Sequence, residues 1–431
     1  MADHQAVTLF IEWPLNGIDD NNPQDKSGSP MTTNVVLSKA ENSPRLFKHR
    51  GRLRFRGLIL GLMLSLWLSV AGVQAQTAKV RIAPALRTRN VILITVDGLR
   101  WQEVFGGVDV TLMDKDAGGI KDLPALTQRF QRETARESRE ALMPFFWRTL
   151  AQQGVVFGDP EQESKAVVTN GLNFSYPGYS EILCGFADPL IDSNAKKDNV
   201  NVTVLEWLKQ KPGFENSVAA FCSWDVFPFI INETRSGIPV NAGWEPLTPD
   251  ASLNLEGSEA VAALRELDEF SLEIPRYFPD VRYDFVTFRG AAEFLKAKQP
   301  RLIYVSLGET DDWAHAGRYD LYLDAAFRTD DYIRRLWQQL QSMPEYRDST
   351  TLILTTDHGR GDNRIEWKNH GEKVDDCEYI WMAVMGPDTP HQLIRGTTVT
   401  QSQIAATVAA CLGHDYQKAV PRAAAPLPVL P

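Results

Sequence analysis

The stretch Leu352-Ile353-Leu354-Thr355-Thr356-Asp357-His358-Gly359 constrains the fold of this chain most strongly. Its apolar, β-branched first half is typical of a strand that is buried on both faces. A carboxylate and an imidazole follow directly, and open α/β sheets bind ligands at the carboxyl ends of their strands. An Asp-His pair suits a borderline-soft divalent metal such as zinc. The stretch therefore predicts a buried strand that ends in a metal site.

Apolar runs of strand length alternate with helical patterns along the chain. We predict strands at 90–96, 154–157, 217–221, 301–307, 351–356 and 379–385. We predict helices within 121–140, from 143, and at 177–185, 202–210, 284–298, 319–342 and 401–412. This alternation predicts an α/β fold with a largely parallel central sheet and helices on both faces. Residues 224–278, rich in aromatics and proline, are expected to form an irregular insertion that could wall a pocket.

The first 75 residues are expected to lie outside the folded domain. Residues 1–57 are polar and end in a basic run, and residues 58–75 hold an apolar h-region followed by small residues. This is the pattern of a secretory signal, so a periplasmic or secreted protein is expected. An uncleaved membrane anchor at 58–73 is the alternative. The catalytic domain is expected at 76–420, followed by a loose Pro-rich tail at 421–431.

Charge and cysteine content limit the remaining classes. The formal net charge of -10 argues against a general nucleic-acid binder, which would carry a basic patch. The 4 cysteines form no C-x-x-C motif. In an oxidising compartment they could form disulfides, and buried free thiols are the equal alternative.

Several stretches place metal-type or nucleophile-type side chains just after predicted strands or at a helix start. These residues are Asp97, Ser175, Asp311, His315, Asp357, His358 and His370. Taken singly, each has an ordinary explanation as a cap, a turn residue or a surface pair. However, Asp311 and His315 at i and i+4 share one helical face, as a chelating pair requires. Together the residues predict a site for zinc, with manganese as the alternative.

This ordered set resembles the alkaline phosphatase superfamily of metal-dependent phosphate-ester and sulfate-ester hydrolases. It is most similar to the type I phosphodiesterase/nucleotide pyrophosphatase branch and to bacterial exported proteins of the superfamily, from about residue 90 to 412. The resemblance implies two divalent metal ions. Asp97, Asp357 and His358 would hold the first, with the nucleophile bridging to it. Asp311, His315 and His370 would hold the second, with the assignment between Asp311 and Asp312 resting on the spacing to His315.

The resemblance also implies a nucleophile. The Thr-Phe-Pro-Asn motif of the phosphodiesterase branch aligns with Ser175-Tyr176-Pro177-Gly178, which makes Ser175 the expected nucleophile and metal ligand. Gly178 replaces an Asn that helps to bind phosphate oxygens in that branch, which weighs against nucleotide-type diesters. Arg100 is expected to reach the phosphate with its guanidinium, a solvated charge being the alternative. Arg360, Arg364 and Asn369 are further pocket candidates.

We therefore expect an exported two-metal hydrolase of small-molecule phosphate esters that contacts the membrane only through its N-terminal segment. A sulfatase is disfavoured because Ser175-Tyr176-Pro177-Gly178-Tyr179 lacks the Arg of the sulfatase motif. A phosphoglycerate mutase-like enzyme is disfavoured because no mutase-type inserted domain is visible. A non-catalytic, metal-stabilised binding protein is the alternative from another class.

Overall fold

Ten strands form two sheets in the part of the chain that the computed structural model describes, residues 85–248, 259–391 and 394–431. In chain order the strands are β1 (Asn90–Val96), β2 (Val155–Phe157), β3 (Lys165–Val167), β4 (Val218–Cys222), β5 (Val240–Ala242), β6 (Leu302–Leu307), β7 (Thr350–Thr355), β8 (Tyr379–Ile380), β9 (Met382–Met385) and β10 (Thr398–Thr400). The central sheet has the order β2-β9-β7-β1-β6-β4-β5, and the small sheet has the order β10-β3-β8. In the central sheet β9 runs opposite to the other six strands, which share one direction, and this confirms the prediction of a largely parallel sheet.

Helices connect these strands over the same described ranges. They are α1 (Trp101–Gly106), α2 (Lys115–Gly118), α3 (Leu123–Phe130), α4 (Ala135–Leu142), α5 (Ala151–Gln153), α6 (Ser175–Cys184), α7 (Val204–Lys209), α8 (Phe227–Ile230), α9 (Glu233–Ser236), α10 (Glu259–Glu273), α11 (Asp284–Lys298), α12 (Glu309–His315), α13 (Tyr319–Ser342), α14 (Gln403–Cys411) and α15 (Tyr416–Ala419). A π-helical segment, Phe146–Leu150, precedes α5. The helices predicted at 284–298 and 319–342 have the predicted bounds.

Strand β1 shows why both faces of the central sheet carry helices. All of its residues are buried, and side chains alternate between the two faces along a strand. Ile92 and Ile94 enter a core cluster that includes apolar residues of α11 and α13. Val91 and Leu93 enter a second cluster with residues of α6, α7 and α14. The predicted arrangement of helices on both faces is therefore confirmed.

Two expectations for the chain after β1 need correction. The single strand predicted at 379–385 is divided, because β8 belongs to the small sheet and β9 to the central sheet. Trp381 lies at the crossing, fully buried, and its indole N–H donates to the carbonyl of Leu99 at 2.9 Å. The segment 224–278, expected to be irregular, contains α8, α9, β5 and α10, and its residues 249–258 lie outside the described ranges.

The Pro-rich C-terminal segment is ordered against the core, whereas a loose tail was expected. Leu427 and Val429 are buried in the same cluster as α14. The backbone N–H of Leu427 donates to the Thr407 hydroxyl at 2.8 Å, and Ala424 N–H donates to the Gly185 carbonyl at 2.8 Å. Apolar side chains spaced between the prolines supply burial that the proline content alone does not reveal.

The expectations for the signal segment and for the basic N-terminal run fall on residues outside the described ranges. Within the described ranges, no helix combines the length and the apolar character needed to cross a bilayer. The four cysteines, Cys184, Cys222, Cys377 and Cys411, are all buried and free, so no disulfide joins them.

Candidate active site

The site residues meet because three of their strands are neighbours in the sheet. β1 lies between β6 and β7 and pairs in parallel with both. Asp97 follows β1 directly, α12 follows β6 and carries Asp311 and His315, and Asp357 and His358 lie just after β7. The carboxyl ends of parallel neighbours share one edge of the sheet, which brings residues separated by more than 200 positions together.

The first group of donors consists of Asp311, His315 and His370. The Nε2 atoms of His315 and His370 lie 3.0 Å apart, and His315 Nε2 lies 3.2 Å from Asp311 Oδ2. His370 Nε2 lies 3.6 Å from Asp311 Oδ1. One donor atom from each residue lies within 4.8 Å of the others, a spacing that a single metal ion can bridge.

The second group surrounds His358, which is fully buried. Its Nε2 lies 3.3 Å from Asp97 Oδ1 and 3.4 Å from Asp357 Oδ2. It also lies 3.8 Å from Asp311 Oδ1, and the donor atoms of Asp97, Asp311 and His358 converge within 4.8 Å. Asp311 therefore faces both groups, whereas the sequence analysis places it in one.

Backbone carbonyls fix the tautomers of two of these histidines. His358 Nδ1 lies 2.9 Å from the carbonyl oxygen of Gly359, and His370 Nδ1 lies 3.1 Å from that of Asn173. A carbonyl oxygen only accepts, so each Nδ1 carries the proton. With Nδ1 protonated, the neutral form of each ring has its lone pair on Nε2, which faces the carboxylates, and this is the form in which a histidine binds a metal.

The electrostatics of the carboxylates fit a divalent cation. Asp97 Oδ1 and Asp357 Oδ2 are buried, and neither has a hydrogen-bond partner in the described part of the chain. Burial and the neighbouring carboxylates raise the pKa of both Asp97 and Asp357 well above the usual value. Burial and the ring of His358 hold the pKa of His370 well below its usual range, so this imidazole is neutral. Buried carboxylate oxygens without a hydrogen-bond partner, beside imidazole nitrogens, form a donor set that a divalent metal would satisfy.

Asp311 differs from the other buried carboxylates because it has a cationic partner. Burial opposes its ionisation, but the Arg360 guanidinium and His315 hold the pKa of Asp311 well below the usual value. Arg360 is itself buried and pairs directly with Asp311 Oδ1. Asp312 belongs to neither donor group. Burial, and to a smaller extent the negative charge of Asp311, raise the pKa of Asp312 to about 9. The structure therefore brings Asp311, rather than Asp312, to the other donors.

Ser175 lies at the first position of α6, beside the second donor group. It is 6% exposed, and its Oγ lies 3.5 Å from His358 Nε2. The N-cap residue, Phe174, makes no side-chain hydrogen bond to this helix, and the backbone N–H of Tyr176 donates to Asn194 Oδ1 at 2.9 Å. The Ser175 end of α6 is therefore the positive end of the helix dipole, which favours a nearby anion. One turn further along α6, the Tyr179 hydroxyl donates to Asp97 Oδ2 at 2.8 Å and ties the helix to β1.

Arg100 does not join these residues. Its side chain is fully buried and pairs with Glu103, which is also fully buried, and its Nη1 donates to the carbonyl of Gly361 at 3.1 Å. Both expectations for Arg100, a phosphate ligand and a solvated charge, are corrected by this position. Glu103 lies three residues after Arg100, and this i, i+3 spacing was the available sequence signal for an internal ion pair.

Of the further pocket candidates, only Arg360 contacts a donor residue. Arg364 is half-exposed and pairs with Asp114, and the Asn369 amide donates to Glu366 at 3.0 Å. Tyr179 contacts Asp97 but was not among the predicted site residues, and its i+4 spacing from Ser175 in the predicted helix was the available signal.

Comparisons with known proteins agree with this architecture. Residues 141–411 match the family model for type I phosphodiesterase / nucleotide pyrophosphatase. No curated protein matches the chain. Among solved structures, a variant of the alkaline phosphatase PafA has a TM-score of 0.52 at 11% identity, covering 81% of this chain and 100% of that chain.

Two further structures are similar at lower scores. The lipoteichoic acid synthase LtaP from Listeria monocytogenes has a TM-score of 0.48 at 11% identity, covering 76% of this chain and 72% of that chain. The phosphonate monoester hydrolase SpPMH from Silicibacter pomeroyi has a TM-score of 0.44 at 14% identity, covering 76% of this chain and 74% of that chain. At these identities, the likeness to PafA shows a shared alkaline phosphatase-like fold.

Proposed function

Because the chain belongs to the type I phosphodiesterase/nucleotide pyrophosphatase family and is a hydrolase of phosphate esters, we propose that it is a two-metal enzyme with Ser175 as its nucleophile. The observation that supports this proposal is the convergence of two donor groups beside Ser175 at the start of α6. The small-molecule phosphate ester would bind there, with its phosphorus near Ser175 Oγ.

Asp97, Asp357, His358 and Ser175 would hold the first metal ion, and Asp311, His315 and His370 would hold the second. Zinc is the proposed metal for this mixture of carboxylates and imidazoles, with manganese as the alternative. When bound, two such ions lower the pKa of the nucleophile, neutralise the phosphate oxygens and stabilise the leaving oxygen. Asp311 lies within 3.8 Å of both His370 Nε2 and His358 Nε2, so it would influence both positions.

The residues of the chain then have defined roles. Ser175 Oγ attacks phosphorus and its proton passes to solvent, while the bond to the ester oxygen breaks and that oxygen takes a proton from solvent, which leaves a phosphoseryl intermediate and an alcohol. Water hydrolyses the phosphoserine, releases phosphate and restores the hydroxyl. The positive end of the α6 dipole would face a non-bridging oxygen, as helix N-termini face phosphate groups. Tyr179 would keep Asp97 oriented through its hydrogen bond to Oδ2.

The glycine at position 178 gives information about the class of substrate. A β-carbon there would lie 2.5 Å from the carbonyl oxygen of Asp357, so the site has no room for the Asn of the phosphodiesterase branch. This supports a substrate other than a nucleotide-type diester. We also place the enzyme in the periplasm or outside the cell on the basis of residues 58–75. N-terminal sequencing of the protein from its native cells tests export, with a mature chain that starts near residue 76 as the expected result.

Metal analysis and one substitution test the catalytic proposal. We expect mass spectrometry to find close to two metal ions per chain, and p-nitrophenyl phosphate or bis-p-nitrophenyl phosphate to be hydrolysed. Ser175→Ala should retain the metals and lose turnover by about 1,000-fold or more, since the activated nucleophile is gone. Ser180→Ala, a buried serine on the same helix, is the matched control and should retain turnover within a few-fold.

Three results would contradict parts of the proposed function. A wild-type chain with far fewer than two metal ions would overturn the metal assignment. Full turnover by Ser175→Ala would move the nucleophile elsewhere, with Thr169 as the first alternative. Two bound metal ions without turnover on any phosphate, phosphonate or sulfate ester would indicate a metal-stabilised binding protein.

A further inference from the structure

A five-residue segment links the nucleophile helix to a histidine of the other donor group. We call residues 169–173 the nucleophile loop, because it ends two positions before Ser175. At its end, the Asn173 carbonyl oxygen accepts from His370 Nδ1 at 3.1 Å. Asn173 has a φ of 53°, in the left-handed region of backbone conformation that residues other than glycine rarely adopt. The direction of this carbonyl therefore depends on an unusual backbone conformation.

Hydrogen bonds from α6 hold the nucleophile loop in place. Asn170 Oδ1 accepts from the backbone N–H of Asn173 at 3.0 Å and from that of Leu172 at 2.9 Å. Asn170 is held in turn by Glu181, whose carboxylate accepts from its backbone N–H and its amide, each at 3.0 Å. Glu181 is fully buried and also accepts from Thr169. The loop is therefore fixed to the same helix that carries Ser175.

The contact with Asn173 determines what His370 can do. Because Nδ1 donates to the carbonyl, Nε2 is left as an acceptor that faces His315 Nε2 at 3.0 Å and Asp311 Oδ1 at 3.6 Å. The His370 ring also stacks on His358, with ring centroids 3.9 Å apart. A carbonyl that fixes the tautomer and the ring plane of a metal-binding histidine typically changes metal affinity by about 10- to 100-fold.

We propose that Asn173 is a positioning residue whose left-handed backbone aims its carbonyl at His370 and thereby sets the affinity of the second metal ion. The inference rests on the proposed function. It also couples the two donor groups, because the same loop that orients His370 leads into the nucleophile at the start of α6.

The side chain of Asn173 is not what holds the loop. Its Oδ1 is buried and has no hydrogen-bond partner within the described ranges. Asparagine adopts the left-handed region more readily than other residues with a side chain, and glycine adopts it freely. Glycine should therefore replace Asn173, whereas alanine should not. Removal of the unpaired amide also offsets part of the backbone strain in the alanine variant, so metal affinity is a better readout than stability.

The test titrates the metal-free protein with Zn²⁺ in competition with a chelating dye. We expect Asn173→Ala to weaken the second zinc by about 10- to 100-fold and the first by less than about threefold. Asn173→Gly should bind both ions within about threefold of wild type. The matched control is Asn232→Ala, because Asn232 is equally buried and has a φ of 52°, but its hydrogen bonds go to Asn199 and Arg235. It should leave both affinities unchanged.

The outcomes separate this inference from the proposed function. A wild-type chain that binds fewer than two zinc ions overturns the proposed function. A wild-type chain that binds two, with an Asn173→Ala variant that binds both equally well, overturns only the positioning role. Equal losses of affinity for the second zinc in the alanine and glycine variants would show that the side-chain amide of Asn173 positions His370. That result would overturn the proposal that the backbone conformation does so. If Asn173→Ala does not fold, Asn170→Ala decides, since loss of its Oδ1 should weaken the second zinc selectively.

Discussion

The carbonyl oxygen of Asp357 lies so close to Gly178 that a β-carbon at position 178 would approach it to 2.5 Å. Gly178 belongs to α6, which begins at Ser175, and Asp357 follows β7 and precedes His358. The separation between the nucleophile helix and these donors is thus set by the absence of a side chain. Since the opposing atom is backbone, it cannot rotate away as a flexible side chain would.

Gly178→Ala should therefore damage the site more than its size suggests. We expect a loss of about 1–3 kcal/mol in the free energy of unfolding from overpacking. A displacement of α6 by about 1 Å should lower kcat/KM by about 100-fold. Urea denaturation and p-nitrophenyl phosphate kinetics measure the two effects. Gly106→Ala, where a β-carbon meets nothing within 4 Å, is the control and should change stability by less than about 0.5 kcal/mol. Normal turnover by Gly178→Ala would show that the helix position is not critical.

Arg100 should act on stability rather than on substrate binding. Arg100 and Glu103 are both fully buried, so Arg100→Met leaves a carboxylate that, in the described part of the chain, only Tyr319 and Tyr322 still hydrogen-bond. We expect a loss of about 3–5 kcal/mol in the free energy of unfolding. The double variant Arg100→Met/Glu103→Met should recover much of that loss. A large drop in kcat/KM at unchanged stability would indicate that Arg100 binds the phosphate.

Asp330 on α13 should make stability depend on pH. Burial raises its pKa to about 7, although it accepts the backbone N–H groups of Phe145 and Phe146. Below about pH 4 the carboxyl is protonated in both the folded and unfolded states. Between about pH 4 and about pH 7 only the folded state holds the proton, so this stabilising contribution is lost as pH rises, by up to about 1.4 kcal/mol per pH unit.

Asp330→Asn removes that titration and serves as the reference. The free energy of unfolding of wild type, relative to that of Asp330→Asn, should fall from about pH 4 to about pH 7. Above about pH 7 the difference should stay constant. Urea denaturation at a series of pH values measures the difference. A constant difference across this range would show that Asp330 ionises normally in the folded protein.

The cysteines should be unreactive in the folded protein. All four thiols are buried, and burial raises the pKa of Cys377 to about 11 and that of Cys184 and Cys411 to about 12. Thiolates are the reactive form, so iodoacetamide at pH 8 should label none of them until denaturant is added. Mass spectrometry with and without urea gives the count. Labelling of the native chain would indicate local opening around the labelled cysteine.

The sequence predicted much of the fold because its strands are buried on both faces. Continuous apolar runs such as 90–96 and 301–307 identify central strands without knowledge of their neighbours. Long helices such as α13 were predicted from their own 3.6-residue period. In contrast, the division of 379–385 between two sheets depends on where Trp381 packs, which no local period encodes.

For the candidate site, residue types and their positions after strands were readable from the sequence. An Asp-His pair after a buried strand identifies donor chemistry whatever the rest of the chain does. The direction of a long side chain was not readable: Arg100 follows the same strand as Asp97 yet turns inward to Glu103, whereas Arg360 reaches Asp311. A buried charge goes where a partner is available, and that partner is chosen by packing.

The sequence by itself determined that this is an α/β chain with a set of carboxylates and imidazoles at strand ends, because apolar periodicity and residue chemistry are local properties. Only the tertiary structure decided that Asp311 faces both donor groups, that Gly178 has no room for a side chain and that the Asn173 carbonyl orients His370. Each of these contacts joins residues that are far apart in the chain. Their distances follow from the order and pairing of β7, β1 and β6 and from the packing of α6 against them.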